Sequence, residues 1–457
     1  MSVARRRGAL GAGLGALLAG FAGGGCRDEP PPATAREPRH LLVITIDTLR
    51  ADRLGCYGNP RGLTPALDRI AREGTRFTRA VAHMPCTLPV HAALFTGLSP
   101  RASGVTSNFV RVPLALETLA ERLQAAGFAT TALFNQFEFA KLNLVQGFQS
   151  FENDPSEHAE RIVAAFRAWL SAREAGARWF AWVHLFIPHG PLDVPERFLS
   201  AHVRHPYDGP LRDDFETLER IRRNEIPWPE EFAAHYRDRY DAAVACADAR
   251  VEEILAAIEE ARLLDETLLL CVADHGESLE HGVLGLHAPV LRDSTLRVPL
   301  LLRGPRVGAG RVVEAVVQHV DLFPTLLALL GLDVPAGIEG RNLRPLLAGS
   351  DTEGFDAAAV ALLPAAWAGK RSGGLDPARA AVRRGRFELV LAPDGARELY
   401  DLEDDPSELR DLAGSRPDVV RALAAELERW LGADPAATEG EAVDGELWQQ
   451  LRALGYQ

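Results

Sequence analysis

The run Leu41-Leu42-Val43-Ile44-Thr45-Ile46-Asp47 decides the fold class of this chain. Its continuous apolar and β-branched character is typical of a parallel strand that is covered on both faces. Runs of the same kind recur at 130–134, 179–186, 267–273 and 298–302. Between them lie helical periods at 64–73, 116–126, 160–172, 242–261 and 321–330. This alternation predicts an α/β fold with a doubly wound, mostly parallel sheet flanked by helices.

The pattern changes in the last quarter of the chain. Short strands are predicted at 381–384, 386–391 and 397–402, with a turn at Pro393-Asp394-Gly395 and a helix at 417–431. We therefore predict a catalytic domain at 40–350, a small C-terminal antiparallel α+β subdomain at 351–435 and a tail at 436–457. The segment 206–231 reads as a long insertion loop.

Length and composition exclude several classes of protein. The chain has 457 residues, of which 47% are hydrophobic and 25% charged, so it is neither collagen-like, nor a coiled coil, nor mostly disordered. A formal charge of −13 argues against a nucleic-acid-binding surface, which needs clustered positive charge. Five cysteines are too few for a disulfide framework in a chain of this length.

The N-terminus has the features of an export signal. Arg5-Arg6-Arg7 precedes an apolar run at 8–22, and small residues then lead to Cys26. The apolar run is too short to span a bilayer, and its ending resembles a bacterial lipoprotein signal. We expect a signal at 1–26, lipid attachment at Cys26, a flexible tether at 27–39, and a location at the periplasmic or outer surface of a bacterial cell envelope. A plainly cleaved signal and an uncleaved anchor remain alternatives.

Polar residues stand directly after two of the predicted strands. Asp47 closes the first strand, and Asp274-His275-Gly276-Glu277 closes the strand at 267–273. Ligands of open α/β sheets bind outside the carboxyl ends of the strands. One carboxylate at such a place is often only a turn residue or a helix cap. Two carboxylates with an imidazole supply oxygen and nitrogen ligands for a divalent cation.

A third segment offers a nucleophile. Thr87 lies just ahead of Pro89, which suits the first turn of a helix, so the hydroxyl would lie at the positive end of the helix dipole. An alkoxide there could attack a phosphorus or sulfur centre whose oxygens face backbone N–H groups. A simple helix-capping threonine is the alternative reading.

Together these motifs identify a resemblance to a known family. Over about 41–412 the chain resembles the sulfatase branch of the alkaline phosphatase superfamily. The matching segments are 47–54 with Tyr57-Gly58, 87–89 with 94–97, Val183-His184 with Pro188-His189, Tyr240-Asp241 with Asp248, 274–278, 296–299, 321–325, 337–347 and 398–402. The resemblance implies a large α/β domain with a smaller C-terminal sheet, and hydrolysis of sulfuric or phosphoric esters.

The nucleophile motif departs from the family pattern. Sulfatases of this family convert the cysteine of C-x-P-x-R to formylglycine, but Cys86 has its proline three residues later instead of two. Aligning on Pro89 places Thr87 at the nucleophile position, Val90 at the usual serine and His91 at the usual arginine. No formylglycine is expected. Attack by Cys86 and an inactive site remain alternatives.

The resemblance also implies a ligand set. Asp47, Asp274 and His275 would bind one divalent ion, with Thr87 as a further ligand. Thr48 replaces a family carboxylate and His275 replaces a family asparagine, which moves the preference from calcium toward zinc, manganese or iron.

Other family positions map onto histidines. His189 would contact the ester or protonate the leaving group, and His287 would be a second cationic contact, with His281 as the alternative. We include His91 among the catalytic residues. Glu277 and Arg50 are expected to have supporting roles.

For two further sets of residues we favour a structural role over a functional one. Asp241 and Asp248 share a helix face and could serve a second metal, but capping or solvation is the simpler reading. Trp179, Phe180 and Trp182 are expected to form core strand and not a sugar-stacking platform.

The sequence thus predicts a metal-dependent hydrolase of sulfuric or phosphoric (di)esters. Its substrate would be an anionic small-molecule, lipid or glycan ester, with no nucleic-acid partner. Phosphoryl transfer is mechanistically easier for threonine, because a sulfated threonine lacks the second hydroxyl through which a formylglycine hydrate expels sulfate. A membrane-tethered headgroup transferase and an inactive sulfatase-like binding protein are the alternative functions.

Overall fold

An eight-stranded sheet lies at the centre of the computed structural model. Its strands are β1 (His40–Ile46), β2 (Thr75–Val81), β4 (Ala129–Asn135), β5 (Ser150–Asp154), β6 (Trp179–Leu185), β7 (Thr267–Ala273), β8 (Arg297–Arg303) and β9 (Arg311–Gln318). Their order is β5-β4-β6-β1-β7-β8-β2-β9. Only β8 runs antiparallel to its neighbours in this sheet. The predicted mostly parallel, doubly wound sheet is confirmed.

The structure describes residues 37–135, 137–156, 158–223, 225–280, 284–285, 287, 290–349, 355, 358–363, 379–392, 394–432 and 441–453. From Arg36 onward the chain forms one compact unit. The predicted signal at 1–26, Cys26, most of the tether and His281 lie outside the described residues.

Helices cover both faces of the sheet. They are α1 (Pro65–Glu73), α2 (Thr87–Thr96), α3 (Pro100–Ser103), α4 (Leu119–Ala125), α5 (Ala159–Ala172), α6 (Glu196–His202), α7 (Phe215–Arg222), α8 (Glu230–Glu260), α9 (Asp293–Leu296), α10 (Leu322–Leu329) and α11 (Arg344–Ala348). None of the helices in the described part of the chain combines the length and apolar character needed to cross a bilayer.

A second, smaller sheet follows. Its antiparallel strands are β10 (Ala359–Leu363), β11 (Arg379–Arg384), β12 (Phe387–Leu391) and β13 (Arg397–Asp401), in that order, and α12 (Pro417–Gly432) packs on β11 and β12. This sheet confirms the expected C-terminal antiparallel subdomain. Beyond it, β14 (Glu441–Ala442) pairs with β3 (Val110–Arg111), and α13 (Gly445–Ala453) buries Leu447 and Leu451.

One prediction about local structure was wrong. The segment 206–231 is not a continuous loop, because α7 forms within it and α8 begins at Glu230 rather than near Ala242. Asp214 caps α7 by accepting the N–H of Thr217 at 2.7 Å, and Pro229 precedes the first residue of α8. The early part of α8 buries Phe232, Ala233, Tyr236 and Tyr240 at helical spacing, a period that our sequence-based prediction did not use.

The three middle strands position the site. All seven residues of each of β1, β6 and β7 are buried, including Trp179, Phe180 and Trp182, which confirms their reading as core strand. Because β1 is parallel to both β6 and β7, the carboxyl ends of all three meet at one edge. Asp47 and Asp274 follow two of these ends, so the topology brings them together.

Candidate active site

Asp47 and Asp274 converge with His275 in a buried group. Ligand atoms of the three residues all lie within 4.8 Å of one another. His275 Nε2 is 3.8 Å from Asp47 Oδ1 and 3.6 Å from Asp274 Oδ2. Both Asp47 oxygens and Asp274 Oδ2 have no hydrogen-bond partner among the described residues. Buried carboxylate oxygens without partners are costly, which fits a site built for a cation.

The backbone fixes the orientation of this group. Asp274 Oδ1 accepts the N–H of His275 at 2.7 Å and that of Thr48 at 3.2 Å, so Oδ2 is the oxygen that faces the site. His275 Nδ1 lies 3.0 Å from the carbonyl of Gly276 and donates to it. A neutral ring in this orientation presents the lone pair of Nε2, as metal-bound histidines do.

Thr87 is the first residue of α2, and its side chain reaches the carboxylate group. Its Oγ1 is 3.5 Å from His275 Nε2, and the residue is fully buried. The helix dipole makes this end favourable for an anion. Thr87 thus stands where the sequence placed a nucleophile and fourth ligand.

Cys86 points away from this group. Its thiol donates to Asn108 Oδ1 at 3.2 Å, and the same oxygen accepts the N–H of Leu88 at 2.8 Å. Burial raises the pKa of the Cys86 thiol well above its usual value, which disfavours the thiolate. Asn108 therefore holds the start of α2, a role for which the sequence gave no signal.

His91 lies next to Thr87, and its Nδ1 is 3.9 Å from Asp274 Oδ2. Its Nδ1 donates to the carbonyl of Thr87 at 2.8 Å, and its ring packs against Phe139 and Trp182. Burial, followed by the neighbouring His184, lowers the pKa of His91 to about 3. The catalytic role of His91 stays a prediction; in the structure its ring contacts the backbone of Thr87 and packs in the core.

Three more buried side chains meet His91. Its Nε2 is 3.1 Å from Thr45 Oγ1, which also accepts the indole N–H of Trp182 at 2.9 Å and lies 2.9 Å from His184 Nδ1. His184 Nε2 is 3.6 Å from Asp47 Oδ2. Burial lowers the pKa of His184 to about 4. The sequence assigned no role to Thr45 or His184.

His189 and His287 form the other wall. Their ring centroids are 5.2 Å apart, and the ring of His287 is 4.4 Å from that of His275. His189 Nδ1 donates to the carbonyl of Gly190 at 2.6 Å, while His287 Nδ1 is 3.6 Å from Glu277 Oε1. Burial lowers the pKa of His189 to about 3 and that of His287 to about 4, and it raises the pKa of Glu277 to about 7. The structure thus brings both predicted histidines to the site as neutral rings.

Asp241 and Asp248 have structural partners. Asp241 forms ion pairs with Arg53 and Arg61. Asp248 accepts the N–H groups of Ala66 and Leu67 at the start of α1, at 3.0 and 2.9 Å. This geometry supports the capping interpretation.

Arg50 supports the loop after Asp274. Its guanidinium donates to the carbonyl of Glu277 at 3.0 Å and pairs with Asp52 and Glu280. This is the supporting role that the sequence suggested, because no contact joins it to Asp47 or Asp274 among the described residues.

Burial and the neighbouring carboxylate shift the pKa of Asp47. Burial, together with repulsion from Asp274, raises the pKa of Asp47 well above its usual value. A divalent cation would reverse this effect and satisfy the three partnerless oxygens. The residues present therefore fit a divalent metal.

Comparison with known proteins identifies the family. The family model described as Sulfatase matches residues 39–332. The chain belongs to the sulfatase family. A second model, described as N-sulphoglucosamine sulphohydrolase, C-terminal, matches residues 280–432. The protein is thus a sulfatase-family hydrolase of sulfuric or phosphoric esters, as the sequence predicted.

The individual relatives have low sequence identity to this chain, but their alignments cover most of its length. Steryl-sulfatase of Mus musculus is 29% identical over 418 residues, which cover 70% of this chain and 67% of the relative. A solved 2-O GAG sulfatase aligns with a TM-score of 0.72 at 22% identity, over 89% of this chain and 95% of that chain. Phosphonate monoester hydrolase of Agrobacterium radiobacter aligns with a TM-score of 0.70 at 24% identity, over 87% and 95%. At these identities the solved structures establish the fold.

Proposed function

We propose that this protein is a metal-dependent ester hydrolase in which Thr87 is the nucleophile. One observation carries the proposal. Thr87 Oγ1 lies at the start of α2 and 3.5 Å from His275 Nε2, where Asp47 and Asp274 converge, whereas the Cys86 thiol is bound to Asn108.

Asp47, Asp274, His275 and Thr87 would hold one divalent ion. Such an ion supplies positive charge that favours the ionised form of a nearby hydroxyl and offsets the two carboxylates. The mixed oxygen and nitrogen donors suit zinc, manganese or iron better than calcium, which prefers oxygen alone.

The chain's own groups define the reaction. Thr87 Oγ1 forms a bond to phosphorus while the bond from phosphorus to the leaving oxygen breaks. The hydroxyl proton goes to solvent, and the departing alcohol takes up a proton. Water then attacks phosphorus, the bond to Oγ1 breaks, and the proton of the attacking water is released as Thr87 regains its own. The positive end of the α2 dipole favours the negative charge of the ester oxygens throughout.

His189 and His287 face the opposite side of the site. His189 uses its Nδ1–H on the carbonyl of Gly190, so in the neutral ring Nε2 is a proton acceptor. To protonate a leaving group, His189 must first take up a proton. This requirement favours esters of acidic alcohols, whose alkoxides need no protonation as they leave.

We favour phosphoric and phosphonic esters over sulfuric esters. A phosphorylated threonine can be opened by water at phosphorus, whereas a sulfated threonine lacks the hydrate hydroxyl that formylglycine uses to expel sulfate. The resemblance to phosphonate monoester hydrolase supports this preference, and the steryl and glycan sulfatases among the relatives indicate lipid or glycan esters as the substrate class to test.

Matched substrates test the proposal. The purified protein, loaded with manganese or zinc, would be assayed with p-nitrophenyl sulfate, p-nitrophenyl phosphate, bis-p-nitrophenyl phosphate and p-nitrophenyl phenylphosphonate. We expect a phosphorus ester to be the best substrate, Thr87→Ala to abolish its hydrolysis and Cys86→Ala to retain it. Mass spectrometry of acid-quenched enzyme should locate a phosphoryl group on Thr87.

Other outcomes contradict the proposal. A preference for sulfate with loss of activity in Cys86→Ala would mean that Cys86 is converted despite its spacing. Product carrying an added acceptor alcohol, such as glycerol, would indicate a transferase. No turnover with any ester by the metal-loaded protein would favour a binding protein.

We also propose that the protein is exported and lipid-anchored at Cys26 on the bacterial envelope. The support is the basic, apolar and small-residue pattern that ends at this cysteine. Metabolic labelling with radioactive palmitate tests it: label should appear in the unaltered protein and disappear in Cys26→Ser. Label retained in that variant would contradict the proposal.

A further inference from the structure

The segment 441–453 returns to the large domain and forms a C-terminal strap over β3. Its β14 pairs antiparallel with β3, and the ladder extends by one more bond, from the N–H of Val443 to the carbonyl of Phe109 at 2.9 Å. Phe109 directly follows Asn108, which accepts hydrogen bonds at the start of α2. The C-terminal strap therefore reaches within one residue of a group that contacts the helix of the proposed nucleophile.

Contacts of two kinds fasten the C-terminal strap. Leu447 and Leu451 of α13 are buried, and Arg111 on β3 pairs with Asp444 at 2.9 Å. An ion pair at the surface contributes little to stability, so burial of the two leucines supplies most of the attachment.

A second segment, 141–142, also holds the chain around β3. The N–H of Val112 donates to the carbonyl of Leu142 at 3.0 Å. The C-terminal strap is fastened to this segment as well, because Lys141 Nζ donates to Gln450 Oε1 at 2.8 Å. The backbone around β3 is thus held both by the strap and by 141–142.

Asn108 transmits this arrangement to the start of α2. It is buried, and its Oδ1 accepts the N–H of Leu88 at 2.8 Å and the thiol of Cys86 at 3.2 Å. Leu88 and Cys86 flank Thr87 in the chain. Because one side-chain oxygen holds both neighbours of Thr87, the place of Asn108 sets the backbone from which the Thr87 hydroxyl projects.

We propose that Asn108 is a positioning residue for Thr87, and that the C-terminal strap holds Asn108 in place. This role rests on the proposed function, in which Thr87 Oγ1 attacks the ester. The strap lies beyond residues 39–332 and 280–432, which the two family models match.

The expected loss is one of turnover. Thr87 Oγ1 lies 3.5 Å from His275 Nε2, and a displacement of about 1 Å at a reacting group can cost on the order of 100-fold in rate. Asn108 bonds to the Leu88 backbone and to the Cys86 thiol, neither of which we assign to ester binding. We therefore expect kcat to fall and KM to stay nearly unchanged when this link is broken.

A purely structural strap is the competing role. It would cover apolar surface and add stability, so its variants would unfold more easily while the folded protein kept its kcat and KM. Measurements on the folded protein, well below its unfolding transition, distinguish the two roles.

Two substitutions at Val443 test the strap in the metal-loaded full chain. Val443→Pro keeps an apolar side chain of similar size but removes the N–H that bonds to Phe109, whereas Val443→Ala keeps the N–H and removes more of the side chain. The substrate is the p-nitrophenyl ester that the unaltered protein hydrolyses fastest. We expect Val443→Pro to lower kcat by about 5-fold or more, with KM and metal content unchanged, and Val443→Ala to retain nearly full kcat.

A double variant tests whether the strap acts through Asn108. We expect Asn108→Ala alone to lower kcat by about 10-fold or more. Once the oxygen that holds α2 is gone, the place of residue 108 no longer matters, so adding Val443→Pro should lower kcat further by less than about 2-fold. Losses that multiply would contradict action through Asn108.

Hydrogen exchange gives a readout that does not need turnover. The N–H of Leu88 is bonded to Asn108, so a peptide that spans the start of α2 should exchange this amide faster in Asn108→Ala and in Val443→Pro. Val443→Ala should match the unaltered protein. The buried strand β7 serves as the internal reference, and its exchange should be the same in all variants.

Two results would overturn this role of the strap. Unchanged kcat and unchanged exchange of the α2 peptide in Val443→Pro would show that the strap does not position Asn108, and would leave Thr87 as the nucleophile. Failure of the proposed function would be seen separately, as full activity in Thr87→Ala, and would overturn the positioning of a nucleophile even if the exchange of Leu88 responded to the strap.

Discussion

Two buried clusters of acidic side chains in this protein are built in opposite ways. At the edge of the central sheet, the ionisable nitrogen atoms that lie within 4 Å of the Asp47 and Asp274 carboxylates all belong to histidines among the described residues. Below the small sheet, Arg383 pairs with Asp293 at 2.6 Å beside the fully buried Glu388, and Glu408 accepts the N–H of Asp293 at 2.8 Å.

The difference separates a structural cluster from a binding site. Arginine cannot lose its proton in a protein, so the C-terminal cluster carries its own countercharge permanently. A neutral histidine offers a lone pair and no positive charge. The negative charge of the central cluster is therefore left for a cation to balance. To recognise a cation site, it is therefore more useful to know whether arginine or histidine lies beside the buried carboxylates than to know how many carboxylates are buried.

Removing a carboxylate of the central cluster should have the largest effect on activity. Asp274→Asn keeps the size and the hydrogen bonds to Oδ1 but removes the charge that would hold the ion. We expect turnover of the best ester to fall by more than about 100-fold, because even residues beyond the ligands typically contribute 10–100-fold. Metal analysis after dialysis should show the loss of bound ion. Full metal content with full activity would contradict the comparison.

Removing a cation from the C-terminal cluster should mainly affect stability. Arg383→Met leaves the fully buried Glu388 without its neighbouring guanidinium and leaves Asp293 with Arg297 at 3.6 Å, and we expect the free energy of unfolding to fall by about 3–5 kcal/mol in urea titrations. The neighbouring Arg384 pairs with Glu426 at the surface, so Arg384→Met should cost less than about 1 kcal/mol. Equal losses in the two variants would show that the cluster does not depend on its arginine.

The folding stability of the metal-free protein should depend on pH, because no cation then balances the Asp47 carboxylate. Because the pKa of Asp47 is raised in the folded state, the folded protein keeps a proton that the unfolded chain releases above about pH 4. Unfolding then releases a proton, so stability should fall as pH rises from about 4 toward the folded pKa, by up to about 1.4 kcal/mol per pH unit.

The matched variant isolates that contribution. Thermal unfolding in chelator should show the slope in the unaltered protein and a weaker slope in Asp47→Asn, which would also be the more stable of the two at neutral pH. Added zinc should remove the slope from the unaltered protein alone. A slope that survives in Asp47→Asn would have to come from another buried acid, such as Glu277.

Asn108 should give the smallest effect on stability. Asn108→Ala leaves the N–H of Leu88 without its acceptor, and we expect a loss of about 1 kcal/mol, as for other helix-start caps. Cys86→Ala removes only the weak thiol donor to the same oxygen and should cost less. If the two variants lost the same stability, the side-chain amide of Asn108 would not be the group that stabilises the start of α2.

The sequence predicted most of the centre of the fold and less of its periphery. The strands β1, β4, β6, β7 and β8 were recognisable because residues buried on both faces are apolar without interruption. By contrast, β2 begins with the mostly polar stretch Thr75-Arg76-Phe77-Thr78-Arg79, and its burial depends on β9, which is more than 200 residues away.

In the candidate site, too, some residues were predicted from the sequence and others were not. Asp47, Thr87, Asp274 and His275 were predicted because each sits at an element boundary within a motif. Thr45 and His184 lie inside strands, where polar residues give no local signal, and they meet only because β1 and β6 pair Thr45 with His184. That register follows from contacts across 139 residues, which periodicity does not encode.

The register of the middle strands has a consequence for how the protein folds. The cation ligands and His184 come from segments far apart in sequence, so the site exists only after these parallel pairs have formed, and such pairs form slowly. A slip of one residue between β1 and a neighbour would turn side chains to the wrong face. A metal that binds only the correct register would lower the free energy of that arrangement alone. The ion would thus stabilise the native strand pairing, in addition to any part it takes in the reaction.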